Sequence, residues 1–379
     1  MKEFAAAVSS IGLCCILFLG VSLAMPGRAE AKQYVCPPCG APCDTLVFDK
    51  PGVCPQCGMT LIDKDSIHAD TKPRLKVAIL VFNAVEIIDY TGPYEMFGDA
   101  GYDVYTVGQT TQPITTAMGM TVVPKHSFAD APPPDVLVVP GGGVKGARDS
   151  QPTLQWIRDM SAHARYTMSV CNGSFILGSA GLLDGLKATT TSGNIDRMRD
   201  AFPKTRVVED ERVVDNGKII TAAGLSAGID GALHVISRLE GMGKAQQVAL
   251  DQEYNWRPGS GYARAALADR QIPDVELHDL GTWDLVSTQG TTDHWELVFH
   301  WSATKSPAEA MDRIGTIFES AGKWTPVHAA ASRTAASPAE RHWKFRGRDG
   351  KPWMGALKIE ALAGARDRYT ATVTVERAG

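Results

Sequence analysis

Arg165-Tyr-Thr-Met-Ser-Val-Cys-Asn-Gly-Ser-Phe-Ile-Leu-Gly-Ser-Ala180 decides the fold of this chain. Tyr166 to Val170 is a β-type run and Ser174 to Leu183 a helix-type run. Only Cys171, Asn172 and Gly173 separate them. So short a strand-to-helix turn lifts one side chain clear of a sheet, as a nucleophile elbow does. It also aims the N-terminus of a helix at that side chain, and the helix dipole favours a thiolate. Cys171 is therefore the candidate nucleophile. The plainer alternative is a buried core thiol, a common environment for a free cysteine.

Strand and helix patterns alternate on either side of this stretch. Upstream lies Lys76-Val-Ala-Ile-Leu-Val-Phe82, a continuous apolar run of the kind that is buried on both faces of a sheet. A helix is expected from Gly92 to about Ala100, and a strand over Tyr102 to Val107. A hairpin over Ile114 to Val123 should turn near Met118-Gly119. The strand Asp135 to Pro140 runs into Gly141-Gly142-Gly143. A helix over Gln151 to Ala164 precedes the quoted stretch, and its own helix is expected over Asn172 to Leu183. Lys218 to Ala223 and Leu225 to Leu239 read as a late strand and helix. The pattern predicts an α/β doubly wound, flavodoxin-like sheet, whose sites form at the carboxyl ends of strands. Three segments should meet there. Cys171 is one. Gly141 and Gly142, with the Asn172 N–H, are positioned to form an oxyanion hole, or else are a plain connecting loop. Val85 to Pro93 brings Asp89, with Glu86 nearby, to accept or hold a thiol proton; alone, each is an ordinary helix-start carboxylate.

These residues carry a resemblance. Ile88-Asp-Tyr-Thr-Gly-Pro-Tyr-Glu-Met-Phe97, Ser127-Phe-Ala-Asp130, Val138-Val-Pro-Gly-Gly-Gly143, Ser169-Val-Cys-Asn-Gly-Ser174, Gly178-Ser-Ala-Gly-Leu-Leu183 and Ala227-Gly-Ile-Asp230 resemble the ThiJ/PfpI superfamily, whose sheet is similar to class I glutamine amidotransferase domains. The match covers residues 74 to about 257 and is nearest to isocyanide-hydratase-like members. It implies that Cys171 is the nucleophile of a hydro-lyase or hydrolase acting on a small electrophilic molecule. It also implies that Asp89 contacts the thiol and that the Gly142 and Asn172 amides face the reacting atom. A homodimer is a further expectation. Two departures stand out: Asn172 replaces a threonine common after the cysteine, and Ala188-Thr-Thr-Thr191 lacks the histidine that many relatives carry there. No cofactor is expected for catalysis. The second reading is a ligand-binding or redox- and metal-sensing module without turnover.

Ahead of this domain, Tyr34-Val-Cys-Pro-Pro-Cys-Gly40 and Pro51-Gly-Val-Cys-Pro-Gln-Cys-Gly-Met59 form two C-x2-C knuckles with ribbon spacing. Cys36, Cys39, Cys54 and Cys57 are the candidate ligands of a structural zinc. Two disulfides are the alternative in an oxidising compartment. Cys43 is a fifth thiol that could replace one ligand. The stretch resembles the heavy-metal-binding ribbon of exported proteins. Residues 1–31 read as a signal peptide: Lys2, the apolar Phe4 to Ala24, then Ala29-Glu30-Ala31. Export to a periplasmic or extracellular space follows, with an uncleaved anchor as the alternative.

The domains expected are thus 1–31, a ribbon over 32–63, a sheet domain over 74–257, a linker over 258–275, and a tryptophan-rich α+β domain over 276–379. In that last domain, strands over Thr282 to Thr288 and His294 to Ser302, a helix over Pro307 to Ser320, a hairpin turning at Asp349-Gly350 and a strand over Tyr369 to Val375 are expected. Six of the eight tryptophans lie there, as core or as the lining of a groove. A net charge of −4 without a dense Lys/Arg run predicts no nucleic-acid surface.

Overall fold

The computed structural model describes residues 32–37, 42–66, 73–259, 262–327 and 339–379; the expected leader and Cys39 lie outside them. The chain divides into two units, Met1–Pro73 and Arg74–Gly379. No helix among the described residues is long and apolar enough to cross a membrane.

In the first unit, Tyr34–Val35 is the middle strand of a small antiparallel sheet, flanked by Val47–Phe48 and Ile62–Asp63. Val35, Cys36, Cys43, Cys54 and Leu61 are its buried residues among those described. So few apolar side chains cannot stabilise 30 residues alone, which leaves the sulfurs as the natural source of folding energy.

The second unit holds a seven-stranded sheet and a six-stranded sheet. In the first of these, β1 (Lys76–Leu80), β2 (Asp103–Gly108), β3 (His126–Ser127), β4 (Val136–Val139), β5 (Tyr166–Val170) and β7 (Ile219–Ala222) run parallel, and β6 (Val213–Asp215) is antiparallel at one edge. The order is β6-β7-β5-β4-β1-β2-β3. Strand alternation sends Val77, Ile79, Val136, Val138 and Met168 to one face, where α1 (Ile87–Asp99), α4 (Ala227–Glu240) and α5 (Met242–Asp251) cover them. Ala78, Leu80, Leu137 and Val139 point to the other face, under α2 (Gln151–His163) and α3 (Gly173–Ser179). Burial on both faces is what the unbroken apolar strands require.

Two helices differ from expectation. The first begins at Ile87, five residues before Gly92, and carries Pro93 inside it. A proline reads as a first-turn residue, but here tertiary packing holds the turn ahead of it: Gly92 lies so close to α4 that a Cβ would sit 2.9 Å from Ile229. The helix after Cys171 ends at Ser179, not Leu183, and Gly181 follows with φ +77°.

The six-stranded sheet is antiparallel throughout. It is built from β8 (Gly281–Gly290), β9 (His294–Ala303), β10 (Thr325–Val327), β11 (Ala339–Arg346), β12 (Pro352–Ala361) and β13 (Arg368–Arg377), in the order β8-β9-β13-β12-β11-β10. One helix, α6 (Pro307–Ser320), lies on it. Its start is held by a capping box between Ser306 and Glu309 with Pro307 in the first turn. It buries Ala310, Met311, Ile314 and Phe318, while Ala308 is exposed. Trp301, Trp343 and Trp353 are among the largest fully buried side chains, so these three are core. The segment 258–275 is not a bare tether: it forms 3-10 turns at Arg264–Ala266 and Ala268–Gln271, and Leu267 and Ala268 are buried with the tryptophans.

Candidate active site and cysteine cluster

Cys171 stands between β5 and α3 with φ +56°, a left-handed conformation that a cysteine adopts only when its surroundings impose it. Those surroundings are all hydrogen bonds and close backbone contacts. The Cys171 N–H donates to Ala223 O at 2.5 Å, and its carbonyl accepts from Ser174 Oγ and Thr190 Oγ1, each at 3.0 Å. Two residues on, only glycine fits. A Cβ on Gly173 would stand 2.0 Å from Val139 O. The elbow is therefore wedged against the end of β4.

Asp89, in the first turn of α1, is fully buried. Its Oδ2 accepts from Gly141 N at 3.1 Å and its Oδ1 from Leu225 N at 3.1 Å. The carboxyl sits beside the Cys171 thiol; it raises the thiol's hold on its proton, and the thiol lowers the carboxyl's. Gly141 packs into the angle between these groups: a Cβ there would lie 2.5 Å from Asn172 N and 2.9 Å from both Asp89 Oδ2 and Cys171 Cβ. Gly142, at φ +102°, faces Val85 across an isolated antiparallel bridge whose hydrogen bonds run through Gly141 and Gly143. The Gly142 N–H is thereby left out of that ladder. Its carbonyl accepts from Asn172 Nδ2 at 3.1 Å, and Asn172 Oδ1 accepts from Asn194 Nδ2 at 2.8 Å. Cys171, Asp89, Gly141, Gly142 and Asn172 thus converge at the carboxyl ends of β4 and β5.

The electrostatics correct one expectation. A short helix behind the thiol does not make it a free thiolate. Burial, followed by the adjacent Asp89 charge, pushes the Cys171 thiol up to about 12, although the Asn172 N–H and the Thr191 hydroxyl donate to the sulfur and pull the other way. Burial likewise pushes the Asp89 carboxyl up to about 7; the Gly141 and Leu225 hydrogen bonds and the Cys171 thiol oppose this, and Glu86 adds to it. Two acidic groups share one dry site, and the carboxyl, not the thiol, titrates near neutrality.

Three contributors escaped the sequence reading. Thr191 reaches the sulfur from the position where relatives were expected to carry histidine; that departure was the available signal. Leu225, at φ +56°, supplies a backbone N–H that no side-chain pattern could announce. Beside Thr191, a cavity of about 100 Å³ is lined by Arg212, Leu225 and, from far along the chain, Ala263, Arg264 and Ala265.

Residues 75–238 match the model of the DJ-1/PfpI family. An isonitrile hydratase of Pseudomonas putida is 39% identical over 183 residues, which are 48% of this chain and 78% of that protein. The chain belongs to the DJ-1/PfpI family. Family relatives also include a deglycase of Pyrococcus horikoshii, 32% identical over 37% of this chain and 86% of its own length. A solved ThiJ/PfpI family protein of Pseudomonas syringae is 34% identical, covers 52% of this chain and 81% of its own, and superposes with a TM-score of 0.46.

In the ribbon, the sulfurs of Cys36, Cys43, Cys54 and Cys57 all lie within 4.8 Å of one another, close enough to bind one metal ion. Tetrahedral zinc with bonds near 2.3 Å needs sulfurs about 3.8 Å apart, and Cys43 to Cys36 is 4.0 Å. The Gln56 and Cys57 amides donate to Cys54 Sγ and hold that thiol down at about 7. Gly58, at φ +77°, lets the knuckle turn back so that its N–H reaches Cys54 O at 2.9 Å. Cys43, left without a partner by sequence spacing, is a full member of the cluster.

Proposed function

We propose that this DJ-1/PfpI chain is a cysteine-dependent enzyme, a hydro-lyase or hydrolase, acting on a small electrophilic carbon such as that of an isonitrile, amide or aldehyde. The observation that carries the reading is the fully buried Asp89 carboxyl packed beside a thiol held in a strained elbow. Likeness to an isonitrile hydratase supports it. Because the thiol is held protonated, the sulfur needs a base at the moment of attack. Asp89 takes the thiol proton as the C–S bond forms. It then passes that proton on. In an isonitrile the proton goes to the same carbon, giving a thioimidate. In an amide it goes to the nitrogen, as the C–N bond breaks and the amine leaves a thioester; an aldehyde stops at a reversible thiohemiacetal. Water adds to the thio-adduct, Asp89 accepts a proton from it, and the C–S bond breaks to release product and restore the thiol. The Gly142 and Asn172 amides hold the negative charge that develops.

The test is turnover of an isonitrile, amide and aldehyde panel by the full chain and by Cys171→Ala. A loss of at least about a thousandfold is expected. Undiminished turnover in the variant removes the proposal. Absence of turnover by the natural chain across the panel favours the binding or redox-sensing reading, which the raised thiol pKa and the missing histidine support.

We also take the ribbon to hold structural zinc through Cys36, Cys43, Cys54 and Cys57, and the chain to be exported after loss of residues 1–31. The leader-like pattern of those residues supports the second statement. Mass measurement of the chain recovered from the exported fraction tests it: a mature chain beginning at Lys32 is expected, and an uncleaved or retained chain rejects it.

A further inference from the structure

The six-stranded sheet is wider than the one helix that covers it. Six strands about 4.8 Å apart span roughly 24 Å, whereas a helix with its side chains is about 10–12 Å across. Helix α6 packs on β11 and β12. On β9 and β13 the turn Ala268–Gln271 covers part of the same face, and the stretch between that turn and α6 is left more open. There the structure contains a cavity of about 660 Å³, within the size range of small-molecule sites. Its floor is apolar: Trp283, Leu297, Phe299, Leu357, Ala371 and Val373, with Ile314 and Phe318 of α6 as one wall. The opposite wall is the chain segment 272–278.

The rim has one sign of charge. No lysine or arginine lines the cavity, while Asp269, Asp274 and Glu276 do; His278 is the one basic side chain beside them. Asp269 is tied to Arg264 at 2.6 Å. Asp274 and Glu276 make no ion pair or hydrogen bond among the described residues. An apolar floor with two unpaired carboxylates at its edge selects a ligand with a hydrophobic body and a cationic end.

We propose that this cavity of the C-terminal domain is a binding site for a hydrophobic amine, separate from the Cys171 site. The experiment titrates the full chain with octylamine, octanoate and octanol, following tryptophan fluorescence and calorimetry. Octylamine is expected to bind saturably at one site, at least tenfold more tightly than octanoate. The Asp274→Asn/Glu276→Gln double variant should bring the two ligands within threefold. Leu297→Trp, which fills the floor from a half-buried position, should abolish binding read by calorimetry while far-ultraviolet circular dichroism, the thermal unfolding midpoint and Cys171 alkylation stay unchanged. No saturable binding of octylamine, equal binding of octanoate, or unaltered binding in a folded Leu297→Trp chain would overturn the assignment.

Discussion

At the scale of single residues, the site turns on where one proton resides. Asp89 must be ionised to take the thiol proton, and burial holds its carboxyl at about 7. The kcat/KM of the natural chain, and its rate of Cys171 alkylation, should therefore rise as pH increases through 7. Asp89→Asn should lose that limb and most of the rate, leaving alkylation that climbs only towards the high pKa of the thiol; a pH profile of both chains decides it. The same group sets a stability signature. Its folded pKa lies above the unfolded value of about 3.9. Its contribution is therefore full below about pH 4 and is lost as pH rises through 7. Thermal denaturation should show the natural chain losing stability over that window relative to Asp89→Asn. Gly141 is the other sensitive position. Alanine there would push into Asn172 N and Asp89 Oδ2, so Gly141→Ala should lower turnover at least about tenfold by displacing the reacting groups, even in a chain that remains folded.

Among the elements, two glycines in helices make opposite predictions. Gly173 opens α3 against β4, and a Cβ would meet a backbone carbonyl at 2.0 Å. Gly173→Ala should cost several kcal/mol, well beyond the roughly 1 kcal/mol that helix propensity returns. Gly98, near the end of α1, has nothing within 4 Å of a would-be Cβ. Gly98→Ala should stabilise the chain by up to about 1 kcal/mol. Denaturant midpoints of the two variants check both statements. Most of these elements were legible beforehand, because strands buried on both faces are continuous apolar runs and β5 reproduces its expected bounds. The start of α1 was not legible. Pro93 marks a helix start locally, and only the packing of Gly92 against Ile229 carries the helix back to Ile87.

For the molecule as a whole, the C-terminal domain is joined to the sheet domain by polar contacts. Arg348 Nη1 meets Asp196 at 2.7 Å, and Arg270 of the connecting segment meets Glu209 at 3.4 Å. Its own stability rests on aromatic burial. Trp343, fully buried against Phe318 and Trp324, also donates through Nε1 to Glu319 at 3.1 Å. Trp343→Ala should cost about 3–5 kcal/mol, read as a shift of the unfolding midpoint. In the separate ribbon unit, Cys43→Ser should weaken metal binding at least about tenfold by removing one of four sulfurs. Competition with a chelator of known affinity measures it, and unchanged affinity would exclude Cys43 as a ligand.

The sequence by itself determined the α/β class, the elbow at Cys171, the carboxylate at Asp89 and three of the clustered cysteines, Cys36, Cys54 and Cys57. Each of these is written in local periodicity or in residue spacing, which the chain carries before it folds. Tertiary structure alone decided the rest. It brought Thr191 and the Leu225 amide to the site, and it raised the Cys171 thiol where the local helix argument pointed downward. It also drew Cys43 into the ribbon and made residues 263–265 a wall beside the site. The physical reason is common to all four: burial and contact between residues distant in sequence depend on which surfaces the fold presses together.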